Sequence, residues 1–237
     1  MDTLTLFDEG EAAVALPQYA VITRHEPQQI EAESMRIIAA ELTARGIVVP
    51  LERQAVVYRA IHASADFDYA ESLAFSDGAV STALALLRSQ QPIIVTDTKM
   101  AQSGISRAAC EALGIAVHCF MADDDVACAS KRSALTRAAC SVDKAVRLFG
   151  AATARRPLIF AIGNAPTALV RIRQLYDAGL ASPAFVVGVP VGFVNVVAAK
   201  ELLLQSPIPH IVARGRKGGS TLSAAIVNAL LYEARAR

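Results

Sequence analysis

Five short runs in this chain, 93–96, 115–121, 158–162, 185–189 and 208–213, are apolar at consecutive positions instead of alternate ones. A strand with one wet face alternates apolar and polar residues, so an unbroken apolar run needs cover on both faces. Segments of helical spacing fall between these runs, at 107–113, 133–149, 165–178, 196–204 and 221–234. Strand and helix in alternation specify a three-layer α/β/α fold around a mostly parallel, Rossmann-like sheet. Ahead of the first run the pattern is helical. Ile30, Ile37, Ile38 and Leu42 recur at helical spacing over 27–45 with Gly46 as a stop, and further helices are expected over 52–63 and 78–88. On the second of these, Ala55, Val56, Ala60 and Ile61 form the expected buried side. Residues 1–16 are acidic and irregular and are expected to be a flexible leader, with 17–237 forming one domain.

Composition removes several classes of function. Twenty-three Lys and Arg against 22 Asp and Glu leave a formal charge of +1, which supports neither a nucleic-acid coat nor a polybasic membrane anchor. The start, MDTLTLFDEG, has no apolar core of a signal peptide. No charge occurs between Asp177 and Lys200, a length that could span a bilayer, but Ser182, Pro183, Gly188, Pro190, Gly192 and Asn195 break it into strand, turn and helix. Cys110, Cys119, Cys128 and Cys140 include no C-x-x-C pair, so a zinc or iron–sulfur site is not expected. Free thiols and the absence of a signal fit a reducing, cytoplasmic setting. Asp123, Asp124 and Asp125 have no ligand spacing after them and read as a solvated turn.

Open parallel sheets bind ligands beyond the carboxyl ends of their strands. Three such loops here are rich in small residues: Gly163-Asn164-Ala165-Pro166-Thr167, Pro190-Val191-Gly192-Phe193 and Arg214-Gly215-Arg216-Lys217-Gly218-Gly219-Ser220. Glycine admits close backbone approach, Pro166 suits an early helical position, and free amides at helix starts favour anions. Three cations within four residues of the last loop strengthen the case for an anionic ligand. Neither a Walker A sequence nor G-x-G-x-x-G is present, so a nucleotide cofactor has no support. Such turns also arise for purely geometric reasons. A second candidate is Arg59 with His62, three apart on one helical face. This pairs a guanidinium able to grip a carboxylate with imidazole, the side-chain type that exchanges protons near neutral pH. The alternative is that both merely stabilise the last carbonyls of a helix. Asp97 either orients a ligand or caps a short helix, Ser34 is a small polar residue in an apolar-periodic helix, and His25, His118 and His210 read as structural.

Six segments together resemble the precorrin-8 methylmutases of cobalamin biosynthesis: EAESMRII at 31–38, RAIHASADFD at 59–68, TDTKM at 96–100, GNAPTAL at 163–169, GVPVGFV at 188–194 and GRKGGS at 215–220. They run in the family's order, and the match extends from about residue 17 to the end. The resemblance implies an isomerase that shifts a methyl group from C-11 to C-12 of precorrin-8, giving hydrogenobyrinate or cobyrinate. It implies His62 as proton donor and acceptor, and substrate contacts at Ser34 and Arg59. The matched loops add Asp97, Asn164, Pro166, Thr167, Gly192, Arg216, Lys217, Gly218 and Ser220 as binding candidates. It also implies a homodimer, a carboxylate-rimmed tetrapyrrole as partner, and no cofactor or protein-bound metal, any cobalt arriving inside the substrate. The wording of the segments around His62 and Arg216 is nearer to the cobalt-dependent members. Two rival expectations stand beside this one. A corrinoid carrier would hold a ligand whose methyl never migrates, and a phosphate-handling protein would be stabilised by nucleotides.

Overall fold

The computed structural model describes residues 27–150 and 156–236, so the expected leader and His25 lie outside the described residues. Helices α1 (Pro27–Ala44), α2 (Leu51–Ser64) and the short α3 (Tyr69–Ser72) precede β1 (Leu73–Phe75) and α4 (Ala79–Ser89). There follow β2 (Ile93–Thr96), α5 (Lys99–Gly104), α6 (Arg107–Ala112), β3 (Ala116–His118), α7 (Asp124–Ser133) and α8 (Arg137–Phe149). The chain ends with β4 (Leu158–Ile162), α9 (Pro166–Asp177), β5 (Phe185–Gly188), α10 (Val196–Leu204), β6 (His210–Ala213) and α11 (Ser220–Arg235).

The unbroken apolar runs behave as their physics requires. On β4, Leu158, Phe160 and Ile162 enter a core with Ala168, Leu169 and Ile172 of α9, whereas Ile159 and Ala161 point to the opposite core with Ile226 and Leu230 of α11. Successive side chains of a strand face opposite ways, so each run feeds two cores at once. Phe160 and Phe185 are fully buried. The strand order is β1-β6-β5-β4-β2-β3, parallel throughout except for β1, which pairs antiparallel with β6. Helices cover both faces, which is the expected three-layer α/β/α arrangement with a helical N-terminal section.

Several boundaries differ from expectation for identifiable reasons. β1 has no counterpart among the expected strands because three residues carry no periodicity; it is fixed by pairing, Leu73 opposite Ala213. The expected strand over 115–121 pairs only over Ala116–His118, since β3 is an edge strand with β2 as its single neighbour. The expected helix over 133–149 is two helices. Ala134 takes a left-handed conformation at φ 57°, and Thr136 then caps α8 by accepting from the Ala139 amide. The acidic triplet is no turn: Asp123 precedes α7, Asp124 and Asp125 lie in its first turn, and Lys144 binds Asp123 at 2.7 Å and Asp125 at 2.6 Å. On α1, Ile38 and Leu42 are buried as expected, but Ile30 and Ile37 stay half exposed, so the helix buries a narrower stripe than its pattern suggested. On α2, Val57 is buried and Ala55 only half-buried. His210 is buried with its Nδ1 2.7 Å from the Ile208 carbonyl oxygen, and burial pushes its pKa down. Among the described residues no helix is long and apolar enough to cross a membrane, and no cluster of His, Cys, Asp or Glu could hold a metal ion.

Candidate active site

From β2 the chain steps outward to β3 and then returns past β2 to β4, β5 and β6. That reversal places a crevice at the carboxyl ends of β2 and β4. Asp97, the residue after β2, lies there and is 2% exposed. Its carboxylate accepts the backbone amides of Gly163 at 2.9 Å, Asn164 at 2.8 Å and Ala165 at 2.6 Å. Burial pushes its pKa up, opposed by these three amides. Thr98, not Asp97, caps α5, so Asp97 serves to hold the loop after β4.

The other loops are joined to that one. A Cβ on Gly163 would lie 2.8 Å from the Gly219 carbonyl oxygen, so the turns after β4 and β6 meet backbone to backbone. The Ser220 and Thr98 hydroxyls are 2.7 Å apart. The Gly219 amide donates to Val189 at 2.9 Å, and the Gly192 amide donates to Arg216 at 3.1 Å. Gly218 sits where a Cβ would be 2.2 Å from the Val189 carbonyl oxygen. Gly218→Ala must therefore displace backbone. The expected loss is about 2–3 kcal/mol, seen as a Tm lower by roughly 4–12 °C.

The basic loop is bound from two further directions. Lys200 on α10, fully buried, donates from Nζ to the carbonyl oxygens of Gly215 and Lys217, each at 2.8 Å. Lys217 donates from Nζ to Asp66 at 2.7 Å and Asp68 at 2.5 Å, and this pairing holds Asp66 below the usual carboxylate range. Asp66 and Asp68 follow the end of α2, which Ala65 closes in a left-handed conformation. His62 occupies the last turn of α2, its imidazole exposed and without a hydrogen bond among the described residues, though it acts with Arg59 on the Glu31 carboxyl. The histidine segment and the basic loop, separate motifs in the sequence, are thus neighbours.

The remaining candidates are distributed unevenly. The Arg59 guanidinium pairs with Glu31 of α1 and lies 5.1 Å from the Tyr232 ring centroid, in a cleft of about 450 Å³ shared with Met35, Gln54 and Tyr58. Its hydrogen bond holds the Glu31 carboxyl below the usual range. Ser34 is half-buried on α1. Asn164 is exposed, Pro166 opens α9, and the Thr167 hydroxyl lies 2.7 Å from that of Thr136. Arg216 lies 5.4 Å from the ring centroid of Phe193, which is 81% exposed, so a cation stands beside bare apolar surface.

The model of the precorrin-8X methylmutase family matches residues 29–233. The chain belongs to this family. As a methylmutase it is an isomerase of cobalamin biosynthesis. It is 40% identical to the cobalt-precorrin-8 methylmutase of Salmonella typhimurium, over 89% of this chain and 97% of that one. With the precorrin-8X methylmutase of Pseudomonas aeruginosa it shares 35% identity over 87% and 95% of the two chains. The crystal structure of precorrin-8X methylmutase from Thermus thermophilus superposes with a TM-score of 0.77 at 38% identity, covering 87% of this chain and 96% of that one. In the methylmutase described here, sequence reasoning passed over Lys200, which served only to bound an uncharged stretch. The available signal was a Lys-Glu pair set in an otherwise apolar helix, VVAAKELLL.

Proposed function

We propose that this isomerase shifts the methyl group from C-11 to C-12 of cobalt-precorrin-8, giving cobyrinate, with His62 as proton donor and acceptor. The observation that carries the reading is the bond of Lys217 to Asp66 and Asp68, which brings the His62 end of α2 against the basic loop. The substrate is a large apolar macrocycle rimmed by carboxylates. Exposed Phe193 and Val194 offer it apolar contact, while Arg214 and Arg216 stand free to meet its carboxylates. The turns at Asn164, Pro166, Thr167, Gly192, Gly218 and Ser220 offer backbone and hydroxyl groups to the substrate, and Asp97 acts on it through the loop it holds. Protonation of the conjugated ring by His62 makes it electron-poor and eases migration of the methyl group. The proton returns to the imidazole afterwards, so atoms and electrons balance without an oxidant, a reductant or a separate cofactor. Cobalt enters and leaves inside the substrate.

Residues 17–237 act as one catalytic unit, in a cytoplasmic homodimer. The preference for the cobalt form follows from the wording of the His62 and Arg216 segments. Incubating the purified protein with precorrin-8 and with its cobalt form, while following the absorption spectrum, tests the reading. A spectrum that stays unchanged while corrinoid remains bound would favour a carrier. Ser34 on α1 and Arg59 on α2 meet the substrate from the helical N-terminal section. Arg59→Ala is expected to raise KM by about tenfold, the loss of one charged hydrogen bond, and to lower kcat by less. Steady-state kinetics beside a thermal melt separate this from lost packing on Tyr232.

A further inference from the structure

Burying a lysine is costly unless its ammonium is fully used, because the charge leaves water for a medium of low dielectric. Lys200 is fully buried, and its partners among the described residues are two backbone carbonyls of one loop. No acidic side chain among the described residues pairs with it. An ammonium kept at such cost in an apolar helix has work to do at that loop.

The geometry points to Lys200 as a positioning residue that sets the 214–220 loop for substrate carboxylates. Every peptide bond among the described residues is trans, so each N–H points opposite to the carbonyl of the same peptide unit. Drawing the Gly215 and Lys217 carbonyls toward Lys200 therefore turns the Arg216 and Gly218 amides away from it. Neither amide donates a hydrogen bond among the described residues. The positive charge behind the carbonyls also polarises those two peptide units and strengthens their N–H groups as donors. Lys200 touches no solvent and so acts on substrate only through the loop. The inference rests on the isomerase reading, since it takes the macrocycle's carboxylates as the ligand.

A pH readout in the unaltered protein is available as well. Burial pushes the Lys200 pKa down to about 8. The charged groups on elements packed against α10 are Arg171, Arg173 and Asp177 of α9, His210 of β6, and Arg214, Arg216 and Lys217 with its partners Asp66 and Asp68; Glu201 lies on α10 itself. His210 is shifted downward and Lys217 upward, so Lys200 is the member of this set that changes charge between about pH 7 and 9.

The test uses the whole chain and the cobyrinate product as probe. Lys200→Met keeps the length of the stem and removes the ammonium. It is expected to weaken product binding about tenfold, the loss of one charged interaction, and to raise KM by more than it lowers kcat. Lys200→Arg, which keeps the charge, is expected to recover part of the affinity. For unaltered protein, affinity should fall between pH 7 and 9, and in Lys200→Met it should stay flat. A folded Lys200→Met variant that binds product within twofold of the parent overturns the inference. If that variant does not fold, a flat affinity profile of the parent over the same range overturns it instead. Unaltered protein that neither binds nor turns over corrinoid at pH 7 overturns the isomerase reading, and the inference with it.

Discussion

His62→Ala is expected to cut kcat by about 10²–10⁴-fold, the usual contribution of a positioned general acid, which is roughly 3–5 kcal/mol of barrier. Product affinity should remain close to that of the parent. Two structural facts make the experiment clean. The side chain is exposed, so its removal leaves no cavity, and it has no hydrogen-bond partner among the described residues to be orphaned. Stability should accordingly move by no more than about 0.5–1 kcal/mol, through the lost interactions with Glu31 and with the carbonyl end of α2. Turnover followed by absorption, product titration and a thermal melt together decide the matter. A variant turning over within threefold of the parent would remove His62 from the chemistry, whatever its effect on binding.

Asp97→Ala should unfold the site from beneath. Three backbone amides converge on this one carboxylate, and alanine leaves all three without an acceptor in a crevice that Asp97 itself fills. Orphaned donors cost about 1–3 kcal/mol each. Relief from burying the charge offsets part of that, and a net loss of roughly 3–5 kcal/mol remains, a Tm lower by about 6–20 °C. Product binding should be lost with it, because the Gly163 turn then has nothing to hold it against Gly219 and Ser220. The Asp97→Asn change keeps the shape but turns an N–H₂ group toward an amide donor, so it should recover little. The pH dependence has a definite sign. The folded pKa is raised, so within the carboxylate range the folded state holds a proton that the unfolded state has released. Stability from this group falls as pH rises through that window and is flat above it. Acidification through that window thus costs nothing at Asp97, whereas Asp66, lowered by Lys217, loses its contribution only at more acid pH, below the ordinary carboxylate value. A melt of Asp97→Ala matching that of the parent would show that the amides find other acceptors.

The central strands were legible because burial on both faces leaves a mark on every residue: Leu158, Ile159, Phe160, Ala161 and Ile162 are all apolar. β1 left no such mark, since three residues held by pairing with β6 obey a partner far away in the chain. The split between α7 and α8 was written in Thr136, a capping residue masked by the apolar run around it. At the site, the loops and His62 were readable as residue types, and the matched motifs gave them expected roles. Their connections were not. Lys217 reads as a free cation for ligand, yet it bonds to Asp66 and Asp68 across about 150 positions of chain. Lys200, in the sequence only the end of an uncharged stretch, is fully buried. Both are long-range facts, set by tertiary packing, that no local window contains.

The two outermost strands, β1 and β3, are each three residues long, and Gln102 of α5 covers part of β3 by donating to the Val117 carbonyl at 2.9 Å. Such stubs offer a neighbouring molecule almost no backbone to hydrogen-bond, which guards against edge-to-edge aggregation. Among the described residues, the sheet thus offers copies of this protein little edge on which to extend one sheet into another. Any lasting union between them is then left to side chains on helices and turns.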